Sequence, residues 1–188
     1  VAVLATTAIQ LMSSSETRQA MRERFSTDVD NLRRKPLVVL PASAFWLPDK
    51  TSVVTLPLTL AALAASERQL GTRRFVTTFA LGHTVATLLS ELPVALAVSA
   101  GRLPRSHAKR VDIGMSYGAV AVLGSMAGAP GQRRIWGDAL ATLVLAPLTL
   151  RRDVTNAGHA LAATVGFLVG RRSATPTSRS NLQESGSP

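Results

Sequence analysis

"VDIGMSYGAV", residues 111–120, sets Asp112 ahead of an apolar run and places one hydroxyl, Ser116, between Gly114 and Gly118. Read outward, the run continues to residue 128 with no charged side chain, the pattern of a helix that is apolar on every side. Such a helix belongs in a membrane or a large core. Ser116 then has two meanings. It is either one of several small residues that let helices pack, or a nucleophile held in a protected place.

The composition narrows the choice. The chain has 188 residues, 46% of them hydrophobic and 4% aromatic, and no cysteine. Disulfides and thiol chemistry are therefore excluded. The net charge is +10, which in a soluble protein points to nucleic acid. Here the basic residues fall in short clusters between apolar runs, as in membrane-protein loops, and aromatics for base stacking are scarce. Nucleic acid is not an expected partner; the lipid bilayer is.

About 20 apolar residues cross a bilayer core, fewer where flanking basic side chains snorkel. The opening "VAVLATTAIQLM" reads as the second half of a spanning helix. Residues 51–66, 75–100, 113–128, 135–150 and 154–170 supply five more, giving an all-α polytopic bundle of six transmembrane helices with the first truncated. The runs are too alanine-rich to show a charged face, which disfavours the alternative of a soluble helical bundle. Residues 13–50 form a long interfacial loop within the membrane domain, residues 1–170. In it "STDVDNL" marks a helix N-terminus capped by Ser26 or Thr27. Residues 171–188, rich in Ser and Pro, form a disordered polar tail. The two sets of loops carry 13 and 8 basic residues, which places the 13–50 loop on the cytoplasmic side.

If the helices alternate in direction, those starting at residues 113 and 154 begin at the same face. Ser116 and His159 then both lie about 5–8 Å below it, at 1.5 Å per residue. That shared depth is what a nucleophile and its base require. His83 is in a helix of opposite direction, about 12 Å from the other face on the same reckoning, and is expected to hydrogen-bond between helices. His107 is in a loop. Three histidines so scattered make no metal site, and no cofactor is expected. Gly114 with Gly118, and Gly166 with Gly170, are small pairs four apart that allow close helix approach. Glu91 and Asp138 fall inside spans, where pairing with Arg or a place near a helix end is the expected arrangement. Trp46 and Trp136 are expected at the headgroup level.

The pattern resembles the rhomboid family of intramembrane serine proteases, in particular its divergent bacterial members. "ERQLGTRRF", residues 67–75, looks like the junction between that family's second and third helices. "GMSYG" looks like the nucleophile motif opening its fourth. "GHALAATVG" looks like the sixth, with Ala162 and Gly166 three and seven residues after the catalytic histidine. The resemblance implies that Ser116 attacks a peptide carbonyl and His159 takes its proton. The substrate or client would be a membrane protein, in the inner membrane of a bacterium. Asp112, Asp153 and Asn156 would help hold water near the site, although Asp112 and Asp153 read first as helix caps and dipole partners. Two departures stand out. Tyr117 occupies the place after the nucleophile where the family usually has Gly. The family's oxyanion-binding His and Asn, counted back from Glu67, fall on Thr51 and Thr55. An inactive rhomboid-like protein that binds membrane segments is thus the alternative reading, and a small transporter a third.

Overall fold

A computed structural model describes residues 2–129 and 154–172. Every regular element among them is helical. Helix α1 covers Ala2–Met12, α2 Ser15–Phe25, α3 Val29–Arg34 and α4 Pro36–Ser43. Then come α5, Lys50–Leu70, and α6, Thr72–Ser99. A 3₁₀ turn, Arg105–Lys109, leads to α7, Ser116–Gly128, and α8 covers Val154–Arg172. The expected span 135–150, with Asp138 and Trp136, lies outside the described residues, as does most of the expected tail. Helix α8 runs through Arg172 and so takes in the first two residues of that expected tail.

The distribution of polarity is inverted relative to a water-soluble core. Thr78, Gly82, His83, Ala86, Thr87, Ser90 and Glu91 of α6 are buried, whereas Leu81, Leu88, Leu92 and Leu96 of the same helix are exposed. On α5, Val54 and Leu58 are 79% and 75% exposed. An aqueous solvent would favour the reverse. In hydrocarbon, polar groups must find partners inside the bundle while leucine faces the lipid. Among the described residues α6 alone is long and apolar enough to cross a membrane, with a mean hydropathy of 1.4 in its most apolar stretch.

The expected interfacial loop is built from short helices. Asp28, rather than Ser26 or Thr27, caps α3, its carboxylate accepting from the Asn31 N–H at 2.9 Å. The correction has a clear cause: Ser26 and Thr27 are engaged elsewhere, as described below. Trp46 is also not a headgroup anchor. It is 7% exposed and stacks on Phe25 with ring centroids 4.9 Å apart, closing α2 over the start of the loop to α5.

The core is an α6–α7–α8 bundle held by small residues. A methyl group placed on Gly166 would overlap the Ala121 carbonyl, and one on Gly170 the Ser125 carbonyl. From the other side, Gly124 and Gly128 of α7 lie against the backbone at Ala163 and Phe167. The expected pair on α8 thus packs closely as anticipated, but against Ala121 and Ser125 of α7 rather than against Gly114 and Gly118. Gly118 instead faces the Phe79 ring of α6. Gly114 precedes the helix, at φ +130°, a conformation that L side chains rarely adopt.

Because backbone meets backbone at Gly166, Gly166→Val should destabilise the protein by about 3 kcal/mol or more, at or above the upper range for overpacking. Thr164→Val, at an exposed position of the same helix, should change stability by less than about 0.5 kcal/mol. Denaturation midpoints in detergent check both values.

Candidate functional site

Helix α7 begins at Ser116 itself, not at residue 113. The sequence supports a longer helix by apolarity, but the positive φ of Gly114 stops it. Residues 111–115 are instead an irregular segment secured at each end. The Ser26 hydroxyl accepts from the Asp112 N–H at 2.9 Å and from the Asp28 N–H at 3.1 Å. The Thr27 N–H and hydroxyl both donate to the Asp112 carbonyl, at 2.8 and 3.0 Å. Two residues on, the Gly114 N–H donates to the Ser43 carbonyl at 3.0 Å. Backbone groups outside any helix are thereby satisfied, as a buried segment requires.

This segment places Ser116 deeper than helix counting suggests. The Tyr117 ring lies 6.4 Å from that of His83, near the middle of the 28-residue α6. Helix α7, with 13 residues, is about 20 Å long and could not cross a 30 Å core alone. The irregular segment reaches inward before the helix starts. The depth of roughly 5–8 Å expected from a start at residue 113 is therefore too small, and His83 is not in a separate layer.

Ser116 is exposed and lines a recess of about 150 Å³ with Gly114, Leu47, Pro48 and, from α5, Ser52, Thr55 and Thr59. Below it lies an apolar floor of Val3, Leu47, Leu56 and Met115. The hydroxyls on the α5 wall have local partners. Thr55 donates to the Thr51 carbonyl at 3.1 Å, Thr59 to the Thr55 carbonyl at 3.1 Å, and Ser52 to Asp49 at 2.9 Å. Asp49 also caps α5, accepting from the Ser52 N–H at 2.7 Å. These bonds hold its carboxyl below the ordinary value. Thr55 thus reaches the recess, whereas Thr51 contributes the carbonyl behind it.

His159 meets α7 one residue further on. Its ring packs edge-on against the Tyr117 ring, with centroids 5.1 Å apart. Gly158 makes the room: a methyl there would overlap the Tyr117 phenol. Sequence reasoning passed over this glycine, although its place directly before the histidine was a signal. His83 bonds between elements as expected, its Nε2 3.0 Å from the Ser43 hydroxyl and 3.1 Å from the Leu40 carbonyl. Glu91 pairs with Arg110, which also donates to the Thr155 hydroxyl at 3.2 Å. One guanidinium thus ties α6 to the first turn of α8, and His159 follows one turn later. Among the described residues no group of His, Asp and Glu could hold a metal ion.

The model of the rhomboid-like protein family matches residues 1–179. The chain belongs to the rhomboid-like family. Membership makes it a membrane protein, consistent with leucines outside and hydroxyls inside. Comparison with curated proteins and with solved structures yields no match.

Asp112, in the segment leading to the rhomboid-like motif, has its carboxyl pushed up by burial, against the pull of Arg110, with Asp28 adding to the rise. A carboxyl raised on folding binds more protons folded than unfolded, so stability falls as pH climbs from its unfolded value of 3.8 through the folded one. Asp112→Asn should therefore flatten this acid-side loss and raise the melting temperature at pH 7 relative to wild type. Thermal melts across the range check the sign.

Proposed function

We propose that the protein is a rhomboid-like intramembrane serine protease, with Ser116 as nucleophile and His159 as its general base. The observation that carries this reading is the position of Ser116. It is the first residue of α7, opens on a recess with a hydroxyl-bearing wall, and adjoins the Tyr117 ring against which His159 packs. The Ser116 oxygen would attack the carbonyl carbon of a membrane-protein substrate while its proton passes to His159. That proton would then go to the leaving amine, and water would cleave the acyl-enzyme by the reverse sequence of proton transfers. Gly114 borders the recess beside the nucleophile, whereas Gly118 packs on Phe79 and serves the helix contact.

The developing oxyanion needs donors. The N–H groups in the first turn of α7 have no carbonyl four residues earlier within the helix, and they point out at the Ser116 end. The α5 hydroxyls, in contrast, already donate to their own helix or its cap. In this reading the backbone at Ser116 and Tyr117 carries the charge, and Thr55 and Thr51 shape the wall.

One observation favours a second reading. Tyr117 fills the place after Ser116 with a buried ring that occupies one edge of His159. If His159 is held there for packing, the recess would serve to bind membrane segments without cleaving them. The chain would then be an inactive member that escorts clients, in the same bacterial membrane.

A fluorophosphonate probe applied to detergent-solubilised protein separates the two. The protease reading expects labelling of wild type, none of Ser116→Ala, and at least a hundredfold slower labelling of His159→Ala. Thr55→Ala should stay within about threefold of wild type, against the hundred- to thousand-fold loss typical of a true oxyanion donor. Absence of wild-type labelling, or labelling that survives in Ser116→Ala, overturns the protease reading.

A further inference from the structure

A second, larger cavity lies away from Ser116. It is a crevice of about 1080 Å³ between α3, the last turns of α6 and the 3₁₀ turn. Arg33, Arg34, Arg105 and Lys109 line it. All four are exposed, and among the described residues none is held in an ion pair. Of the acids that share the wall, Asp28 is engaged by Asn31 through the backbone N–H and the side-chain amide, both at 2.9 Å. Glu23 accepts from Gln19 at 2.8 Å, and Asp30 remains. These bonds leave the acids charged, so four cations face three carboxylates and the crevice carries a net charge of +1.

The crevice does not end at its polar wall. Val29, Arg33, Ala95 and Ser99 also border an adjoining groove of about 290 Å³ that runs along α6 past Leu88, Leu92 and Leu96. Leu92 and Leu96 are 52% and 60% exposed. At 28 residues, α6 is about 42 Å long, matching a bilayer with its headgroups. Its Ser99 end thus falls at headgroup level. A cationic chamber at that level, opening into an apolar channel directed toward the bilayer centre, has the polarity of one amphiphile with an anionic head.

We propose that this crevice and groove bind a single anionic phospholipid, with the phosphate among Arg33, Arg105 and Lys109 and an acyl chain along Leu88, Leu92 and Leu96. Charge complementarity selects the head, since a zwitterionic headgroup brings its own cation to the same place. The groove selects a lipid over a free anion. The inference is independent of proteolysis, because no residue of the Ser116 recess takes part.

Native mass spectrometry of the full chain, released from micelles doped with equal amounts of dioleoylphosphatidylglycerol and dioleoylphosphatidylcholine, tests it. Wild type should retain one phosphatidylglycerol at least about tenfold more than phosphatidylcholine. The triple variant R33Q/R105Q/K109Q, altered only at exposed side chains, should show a ratio near one. Ala95→Trp, which fills the wall shared by both cavities and leaves every cation in place, should lose the bound phosphatidylglycerol. Inorganic phosphate in large excess should not displace it from wild type. Equal retention of the two lipids overturns the proposal, as does an unchanged ratio in the triple variant. Full displacement by phosphate, or undiminished binding in Ala95→Trp, would mean an anion site with no use for the acyl chain.

Discussion

The contact of backbone against backbone between α7 and α8 is the constraint on which the rest depends. Where Gly166 meets the Ala121 carbonyl and Gly128 meets Phe167, no side chain separates the helices. The axes are consequently close enough for Tyr117 and His159, each near the beginning of its helix, to touch. Replace the glycines and the imidazole moves off with its helix, whatever its chemistry. In a lipid environment the hydrophobic effect does not drive such helices together, so close packing and internal hydrogen bonds must do so. On α6, His83, bonded to Ser43 and Leu40, and Glu91, bound to Arg110, supply the second of these.

The position of Ser116 depends equally on a segment that is not helical. Ser26, Thr27 and Ser43 hold the backbone of residues 112–114, the first two through their hydroxyls, so the strap from the first loop acts as a brace for the start of α7. A helix beginning at the rim would bring its first residues into the headgroups. Beginning it lower, after an irregular descent, brings Ser116 level with side chains in the middle of α6. The short helices before residue 50 therefore contribute to the site although none of their side chains needs to touch a substrate.

The positions of α5, α6 and α8 were legible because apolar runs and charged breaks are local features, whereas the short helices α2, α3 and α4 fell in what read as a loop. Residues 51–66 and 75–100 foretold the cores of α5 and α6, and Glu91 foretold an arginine partner. Other features depended on information that the sequence holds only at a distance. The clasp from Ser26 to Asp112 joins residues 86 positions apart, and a capping pattern within "STDVDNL" could not reveal that Ser26 was already committed. Gly118 and Gly124 are six residues apart, about 120° around a helix, so equal glycine spacing said nothing of which pair faced α8. The start of α7 hinged on one dihedral, at Gly114. Composition does not encode it. The resemblance carried by "GMSYG" and "GHALAATVG" led to the family, and the geometry then supplied the levels at which those motifs sit.

Helices α5 and α6 are joined by Gly71 alone, which closes one helix, opens the next and stands at φ +77° with no atom near where a side chain would begin. A joint of one residue has no slack. The wall opposite Ser116 is the near end of a rod whose far end is pinned there, so a rotation of about 5° at this pivot moves Thr55, about 24 Å along the 21-residue helix, by about 2 Å. The width of the opening beside Ser116 is governed from the opposite end of the same helix.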